Sequence, residues 1–255
     1  MLRAEGKERR TGADLMSDVR PNSLSFCPVL AEMVASRCTV DREGNRRLAS
    51  GLSTVNNLVV LRHLCEAIRP AATLEIGLAY GASALVFAQS HRDRGIAPNA
   101  QHLAIDPFQQ DVGFAGLAAM ERAALSGYLC HIADFSDRTL PKLVEQGRQF
   151  GIIYVDGSHL FEDVFIDCHY AVQLLAPGGI MVLDDCTDPH VAKVIKFVVG
   201  NMRHILTELD TSSFRADHGQ SLRYRAARFV GRVQLRAFQK SGNGRRRWDA
   251  KLGSF

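Results

Sequence analysis

From Thr73 to Met202 short apolar runs alternate with amphipathic stretches, and this alternation restricts the chain more than any other feature. Thr73–Ile76, His102–Ile105, Tyr128–Ile132, Gly151–Val155 and Ile180–Leu183 read as buried strands. Between and after them Ala82–His91, Gly116–Leu125, Leu140–Gln149, Val164–Leu175 and His190–Met202 read as helices. Strands each followed by a helix build βαβ units, so the pattern predicts an α/β fold with a doubly wound, mostly parallel sheet. Ile205–Leu209 and Arg232–Phe238 are further strands, bringing the sheet to seven with an antiparallel last strand. In the final strand Val233, Leu235 and Ala237 are expected to face inward, and Gln234 and Arg236 outward.

Upstream the pattern differs. Residues 1–21 mix Arg, Lys, Glu and Asp and read as a flexible arm. Ser23–Arg37 holds a short helix with Leu30, Met33 and Val34 on one face, and residues 39–53 are polar and read as a loop. From Thr54 a helical period runs through Val55, Leu58, Leu61, Leu64, Cys65 and Ile68 and stops at Pro70. The chain thus divides into the arm (1–21), N-terminal helices (22–70), an α/β domain (71–240) and a tail (241–255).

At 255 residues, 46% hydrophobic and 23% charged, the composition is that of a globular protein and excludes collagenous or low-complexity chains. No apolar run reaches the length of a membrane span, and the first 20 residues lack the apolar core of a secretory signal. Six cysteines without a C-x-x-C pair imply reduced thiols and a cytoplasmic setting, and argue against structural zinc. From Arg215 onward there are 11 Lys and Arg against 2 Asp, a net +9, whereas the preceding 214 residues carry 20 against 25, a net −5. The basic end suggests nucleic acid or an anionic membrane as partners.

In a doubly wound sheet ligands bind beyond the C-terminal ends of the strands, so the residues after each strand carry the functional reading. After the first strand stand Glu75, Gly77, Ala79, Tyr80, Gly81 and Ser83. Gly77 and Gly81 let backbone approach a ligand at a helix N-terminus, but their G-x-x-x-G spacing is not the dinucleotide fingerprint. Glu75 repels a pyrophosphate and suits a ligand with a cationic group; an ordinary Gly-rich turn is the plainer alternative. Asp106, after the second strand, is placed to accept ribose hydroxyls or simply to cap the next segment. Asp134 and Phe135 follow the third strand, suited to an adenine amino group and ring. Asp156 follows the fourth strand and Asp184 and Asp185 the fifth. Three neighbouring carboxylates need a cation or protons, and oxygen ligands suit Mg²⁺, Mn²⁺ or Ca²⁺; a helix cap is the plainer alternative for one of the last two. His159, three residues past Asp156, overlooks the same mouth and is a candidate general base.

Together these residues resemble the class I S-adenosylmethionine-dependent methyltransferases over about residues 54–210. The turn Glu75–Gly81 is similar to their cofactor motif, Asp106 to their ribose-binding acid, and Pro177-Gly178-Gly179 to the segment before their fifth strand. Asp156-Gly157-Ser158-His159 with Asp184-Asp185 resembles the metal-dependent small-molecule O-methyltransferases. Gly77–Ser83 and Ile105–Gln109 look like the bacterial subgroup called methyltransferase family 24. The resemblance implies a Rossmann-like fold and S-adenosyl-L-methionine as cofactor, bound by Glu75, Gly77, Ala79, Tyr80, Gly81, Ser83, Asp106, Asp134, Phe135 and Asp156. It also implies Mg²⁺ on Asp156, Asp184 and Asp185, His159 as base, a lid built by residues 22–70, and a small hydroxylated acceptor such as a sugar, glycoside or catechol-like ring. Metal-dependent members commonly carry Asp-Asn or Glu-Asp where this chain has Asp184-Asp185, and residues 22–70 match nothing that assigns the acceptor.

Three other functions compete: a cephalosporin hydroxylase-like enzyme on the same fold, a nucleic-acid methyltransferase using the basic tail, and a binding protein with a vestigial site. The second lacks an N-P-P-Y-type motif after the fourth strand, which makes nucleic acid a poor candidate partner. A homo-oligomer is compatible with a lid-forming N-terminus. Cys168 and His169 read as packing or surface residues, Cys186 as a small buried residue, Trp248 as an anchor for the tail, and Arg245-Arg246-Arg247 as an exposed cluster.

Overall fold

The computed structural model describes residues 23–217, 220–242 and 248–255. The arm over residues 1–21 and the Arg245–Arg247 cluster lie outside the described residues.

Helix α1 (Pro28–Ser36) starts with Pro at its first position and buries Leu30 and Met33. The segment read as a polar loop contains a two-stranded antiparallel hairpin, β1 (Cys38–Val40) with β2 (Arg46–Leu48). Its turn is closed by the Asp41 side chain, which accepts from the backbone N–H groups of Glu43 at 3.0 Å and Asn45 at 2.8 Å and from Arg47 Nε at 2.8 Å. The adjacent guanidinium and these donors hold the Asp41 carboxyl at about 2, below the usual carboxylate range. Helix α2 (Val55–Ile68) is capped by Thr54, whose Oγ1 accepts from Asn57 N, and ends at Arg69 in the left-handed conformation before Pro70.

The alternating part then runs β3 (Thr73–Ile76), α3 (Ala82–Asp93), β4 (His102–Ile105), α4 (Ala115–Arg122), β5 (Leu129–Ile132), α5 (Ser136–Glu145), β6 (Phe150–Val155), α6 (Phe161–Leu174), β7 (Leu175–Leu183), α7 (Pro189–Asn201) and β8 (Leu206–Leu209). Helix α8 (Leu222–Phe229) and strand β9 (Arg236–Lys240) follow. The seven-stranded sheet has the order β5-β4-β3-β6-β7-β9-β8. All neighbouring pairs from β5 to β7 are parallel, and β9 is antiparallel to both β7 and β8. This is the Rossmann-like sheet expected, with its last strand reversed.

Alternation along each strand loads both faces. Ala104, Ile152, Tyr154, Ile180, Val182 and Ala237 pack with α2, α3 and α4. Leu74, Leu103, Ile153, Val155, Met181 and Phe238 pack on the other face with α5, α6 and α7. Each fully buried Leu, Ile or Phe contributes on the order of 1.5–3 kcal/mol, which fixes the register and hence the strand ends that carry the site.

Two sequence expectations are corrected at the C-terminal side. The final strand begins at Arg236 rather than Arg232, and α8 occupies part of the preceding segment. Leu235 and Ala237 are buried as expected, but Arg236 is half-buried and pairs with Glu208. Trp248 is 97% exposed and is no anchor for the tail among the described residues. Phe255 does that instead, edge-on to Phe197 with ring centroids 5.2 Å apart.

Candidate functional site

Strand order reverses between β3 and β6, because the chain leaves β3 toward β4 and β5 and returns on the other side. This is the switch point at which an open α/β sheet opens a crevice. The turn after β3 lies there. Gly77 has φ +93°, and a Cβ on it would stand 2.2 Å from the Asp156 carbonyl oxygen. Gly81, at φ +82°, is the N-cap of α3, and no side chain caps that helix. The first amides of α3 are therefore open to an anionic or acceptor group. A Cβ on Gly116, at the start of α4, would meet the Ala79 carbonyl oxygen at 2.6 Å, so α4 closes tightly over the turn.

Asp106 shapes this turn. Its Oδ2 accepts from Leu78 N at 3.0 Å, Ala79 N at 2.8 Å and Gln109 Nε2 at 3.0 Å, and its Oδ1 from Phe108 N at 2.7 Å. Oδ1, with one donor, is the atom with capacity left for a ligand hydroxyl. Glu75 does not reach the mouth. It is fully buried behind the turn, where Oε2 accepts from Ser83 Oγ at 2.7 Å and Oε1 lies 3.2 Å from His102 Nε2. The strand pleat explains this: Glu75 shares the α3 face with Thr73, whereas Leu74 and Ile76 face α5 and α6. Ser83 is likewise buried, while Ala79 is exposed and Tyr80 packs against the core.

At the end of β5, Asp134 lies 3.6 Å from Lys142 Nζ, and Phe135 is 45% exposed. Phe108, which sequence reading missed, meets Phe135 edge-on at 5.8 Å and is itself 56% exposed. A large aromatic left exposed just after a strand end was the available signal.

The acids after β6 and β7 occupy different environments. Asp184 is 4% exposed. Its Oδ1 accepts from Asn57 Nδ2 at 2.9 Å and Asp185 N at 2.8 Å. Its Oδ2 accepts from Tyr154 Oη at 2.5 Å, Ser53 Oγ at 3.1 Å and Asn57 Nδ2 at 3.1 Å. Ser53 Oγ also lies 3.3 Å from Asp156 Oδ2. Burial, then the Asp184 charge, pushes the Asp156 carboxyl well above its usual range, and burial raises Asp184 as well. Tyr154 rises for the same reason. Asp185 takes the left-handed conformation at φ +49°. This turns its carboxylate outward, with Oδ2 3.1 Å from His159 Nε2 and Oδ1 3.3 Å from Gln234 Nε2. Ser53, Asn57, Tyr154 and Gln234 belong to the site and were not singled out by sequence.

Asp156, His159, Asp184 and Asp185 line a cavity of about 10 Å³, room for one water-sized occupant. Among the described residues no three of His, Cys, Asp and Glu stand as a ready-made metal ligand set. The expected three-acid set is revised accordingly. Asp184 has its lone pairs committed to protein donors, and Asp156 and Asp185 retain free capacity. Mg²⁺ is commonly held by one or two carboxylates, with waters and substrate completing its shell. In charge, size and donor type the residues fit such an ion on those two acids.

Residues 74–186 match the family model Methyltransf_24, a methyltransferase domain. Over these residues the chain is similar to that methyltransferase domain. The match begins in β3 and ends at Cys186, so it spans every strand end described above. The chain is also similar to solved structures. One is the O-methyltransferase TomG from Streptomyces achromogenes, involved in tomaymycin synthesis and solved with SAM. The identity is 18% over 84% of this chain and 90% of that one, with TM-score 0.59. A Bacillus cereus O-methyltransferase in complex with SAH shares 16% identity over 72% and 82%, with TM-score 0.56. Cofactor-bound Rv0187 from MTB shares 15% over 93% of this chain and 100% of that one, with TM-score 0.62. At these identities the likeness establishes the fold. No curated protein sequence matches the chain.

Proposed function

We propose that the protein is an S-adenosylmethionine-dependent O-methyltransferase acting on a hydroxyl of a small molecule. The observation that carries this reading is the uncapped turn into α3 at the switch point, opening beside the His159–Asp185 pair. The neighbours solved with SAM or SAH support the cofactor.

In this reading the turn from Gly77 to Gly81 and the first amides of α3 hold the amino-acid end of the cofactor, with Asp156 beside its ammonium. Asp106 Oδ1 accepts a ribose hydroxyl, and Asp134 and Phe135, joined by Phe108, border the adenine. His159 accepts the acceptor hydroxyl's proton as the oxygen takes the methyl group, the sulfur–methyl bond breaking with its electron pair left on sulfur, and the neighbouring Asp185 carboxylate compensates the charge the ring gains. A Mg²⁺ ion held by Asp156 and Asp185 would, when bound, make a nearby hydroxyl more acidic. Alignment of the reacting groups supplies most of the acceleration, about 7–11 kcal/mol in well-oriented reactions.

Titration calorimetry with S-adenosylhomocysteine, followed by transfer of a labelled methyl group from S-adenosylmethionine to a panel of sugars, glycosides and catechols, tests the reading. Saturable binding and label on an acceptor oxygen are expected. Absence of binding would overturn the cofactor assignment, and label on nitrogen or carbon would overturn O-methylation.

A further inference from the structure

The basic C-terminal region contains a helix turned inside out. Helix α8 lies in the insert between β8 and β9. That insert sits at the mouth end of the sheet, since Leu209 pairs with Ala237 and Leu183 with Arg236. Gln234, at its close, touches Asp185, and its backbone carbonyl accepts from Cys186 N at 2.8 Å. The helix is capped by Ser221, whose Oγ accepts from Tyr224 N.

Its protein-facing side is polar. Tyr224 is buried under the Arg215 guanidinium, 3.8 Å from the ring centroid. One turn on, Arg228 is bound to Asp210 at 2.7 Å and Ser212 at 3.1 Å. Its outward side is apolar. Leu222, Ala226 and Phe229 fall at i, i+4 and i+7, one face of a helix. Leu222 is 80% exposed, Phe229 93% and the adjoining Val230 63%. Arg223 and Arg225 flank this stripe and Arg232 follows it. All three are exposed and have no acidic partner among the described residues.

We propose that α8 is an interfacial helix that seats the mouth side of the enzyme on an anionic lipid bilayer. A water-facing helix of a protein with no partner carries its charges outward. Here apolar side chains point out between unpaired arginines, the arrangement of helices that lie in the headgroup region. The charge complementarity favours anionic lipid: Arg223, Arg225 and Arg232 have no acidic partner among the described residues, and the region from Arg215 onward carries net +9. The inference stands apart from methyl transfer, because its readout is binding and not turnover.

The test is co-sedimentation of the full chain with phosphatidylcholine vesicles, with and without phosphatidylserine, at physiological ionic strength. Binding is expected only with phosphatidylserine and should weaken with added salt. Arg223→Gln and Arg225→Gln should each weaken it about fivefold. Phe229→Asp combined with Leu222→Asp should weaken it by roughly tenfold or more. These side chains are exposed, so an unchanged thermal midpoint serves as the folding control. No sedimentation with anionic vesicles overturns the proposal. Binding indifferent to the Phe229 and Leu222 changes also overturns it, by placing the contact elsewhere in the basic region. A dimer abolished by Phe229→Asp without vesicle binding gives the face to a second copy, and capture by an acidic polypeptide but not by vesicles gives it to a protein; either result overturns it.

Discussion

Asn57 Nδ2 donates to both oxygens of Asp184, at 2.9 and 3.1 Å, and so ties helix α2 to the end of β7. Asn57 is 3% exposed and Asp184 4%, so neither group has water to fall back on. Asn57→Ala removes two donors from a buried carboxylate that already stands beside Asp156. A loss of about 1–3 kcal/mol in urea unfolding is expected. Asn57→Asp should cost more, because it adds a third acid where burial and Asp184 already push Asp156 upward. Equal stability of wild type and Asn57→Ala would show that this bond contributes nothing net.

Gly77→Ala tests the turn. The residue sits at φ +93°, and its Cβ would stand 2.2 Å from the Asp156 carbonyl oxygen, a backbone atom that cannot swing away. The conformational cost of about 1–2 kcal/mol in the left-handed region adds to a displacement of β3 from β6. Lower stability together with weaker S-adenosylhomocysteine binding is expected, by calorimetry on both counts. Gly178→Ala is the control: it also has positive φ, but nothing lies within 4 Å of its Cβ. It should lose stability and retain affinity.

His159→Ala should lower kcat by roughly 10²–10⁴-fold, the usual worth of a general base, with S-adenosylhomocysteine affinity unchanged. His159 stands 3.1 Å from Asp185, so Asp185→Asn should also lower kcat, by less than loss of the ring itself. A kcat that survives His159→Ala would remove this residue from the reaction.

Much of this was legible in the sequence because burial on both faces leaves a plain signal. Thr73–Ile76 and His102–Ile105 are buried at every position and end in turns, and both strands were read to the residue. The hairpin was not legible. Cys38–Val40 and Arg46–Leu48 are three residues each, too short to show a period, and their turn is made by one side chain, Asp41. Helix α8 was not read from the sequence, because its apolar residues face out and leave no core-facing stripe. The site acids were found because they follow strands directly. Ser53 and Asn57 come from the far end of the chain and meet Asp184 only after folding. Tyr154 reads as core on β6, which it also is. Glu75 was grouped with the cofactor residues because its position in the turn motif was visible and the direction of its pleat was not; its bond with Ser83 supports the turn from behind.

Chelation addresses the cation. Asp156 and Asp185 have oxygen capacity to spare and Asp184 does not. Exhaustive EDTA treatment is therefore expected to lower methyl transfer, with recovery on adding Mg²⁺, and Asp156→Asn should raise the Mg²⁺ concentration needed. Cofactor binding through the α3 amides should persist in EDTA. Full activity after chelation would remove the ion from the proposal.

The last prediction concerns pH and two buried groups far from chemistry. Burial, helped by the charges of Asp163 and Asp137, raises Asp167 to about 7, and its Oδ1 has no hydrogen-bond partner. Between its unfolded value near 4 and about 7 the folded state keeps a proton that the unfolded chain has released, so this group makes stability fall as pH rises. Burial lowers His91 to about 4, with the neighbouring His102 adding to the effect. Between about 4 and its unfolded value near 6.5 the unfolded chain takes a proton that the folded state refuses, so this group makes stability fall as pH drops. The two slopes oppose each other across most of pH 4–6.5, each approaching about 1.4 kcal/mol per pH unit at most. Their contributions in wild type should largely cancel there. Asp167→Asn should expose the histidine's slope, with stability rising from pH 4 to 6.5 and a gain over wild type that grows toward pH 7. His91→Gln should expose the aspartate's slope in the opposite sense. Urea midpoints measured at half-unit steps decide the matter: if both variants simply parallel wild type, neither group titrates differently in the folded and unfolded chain.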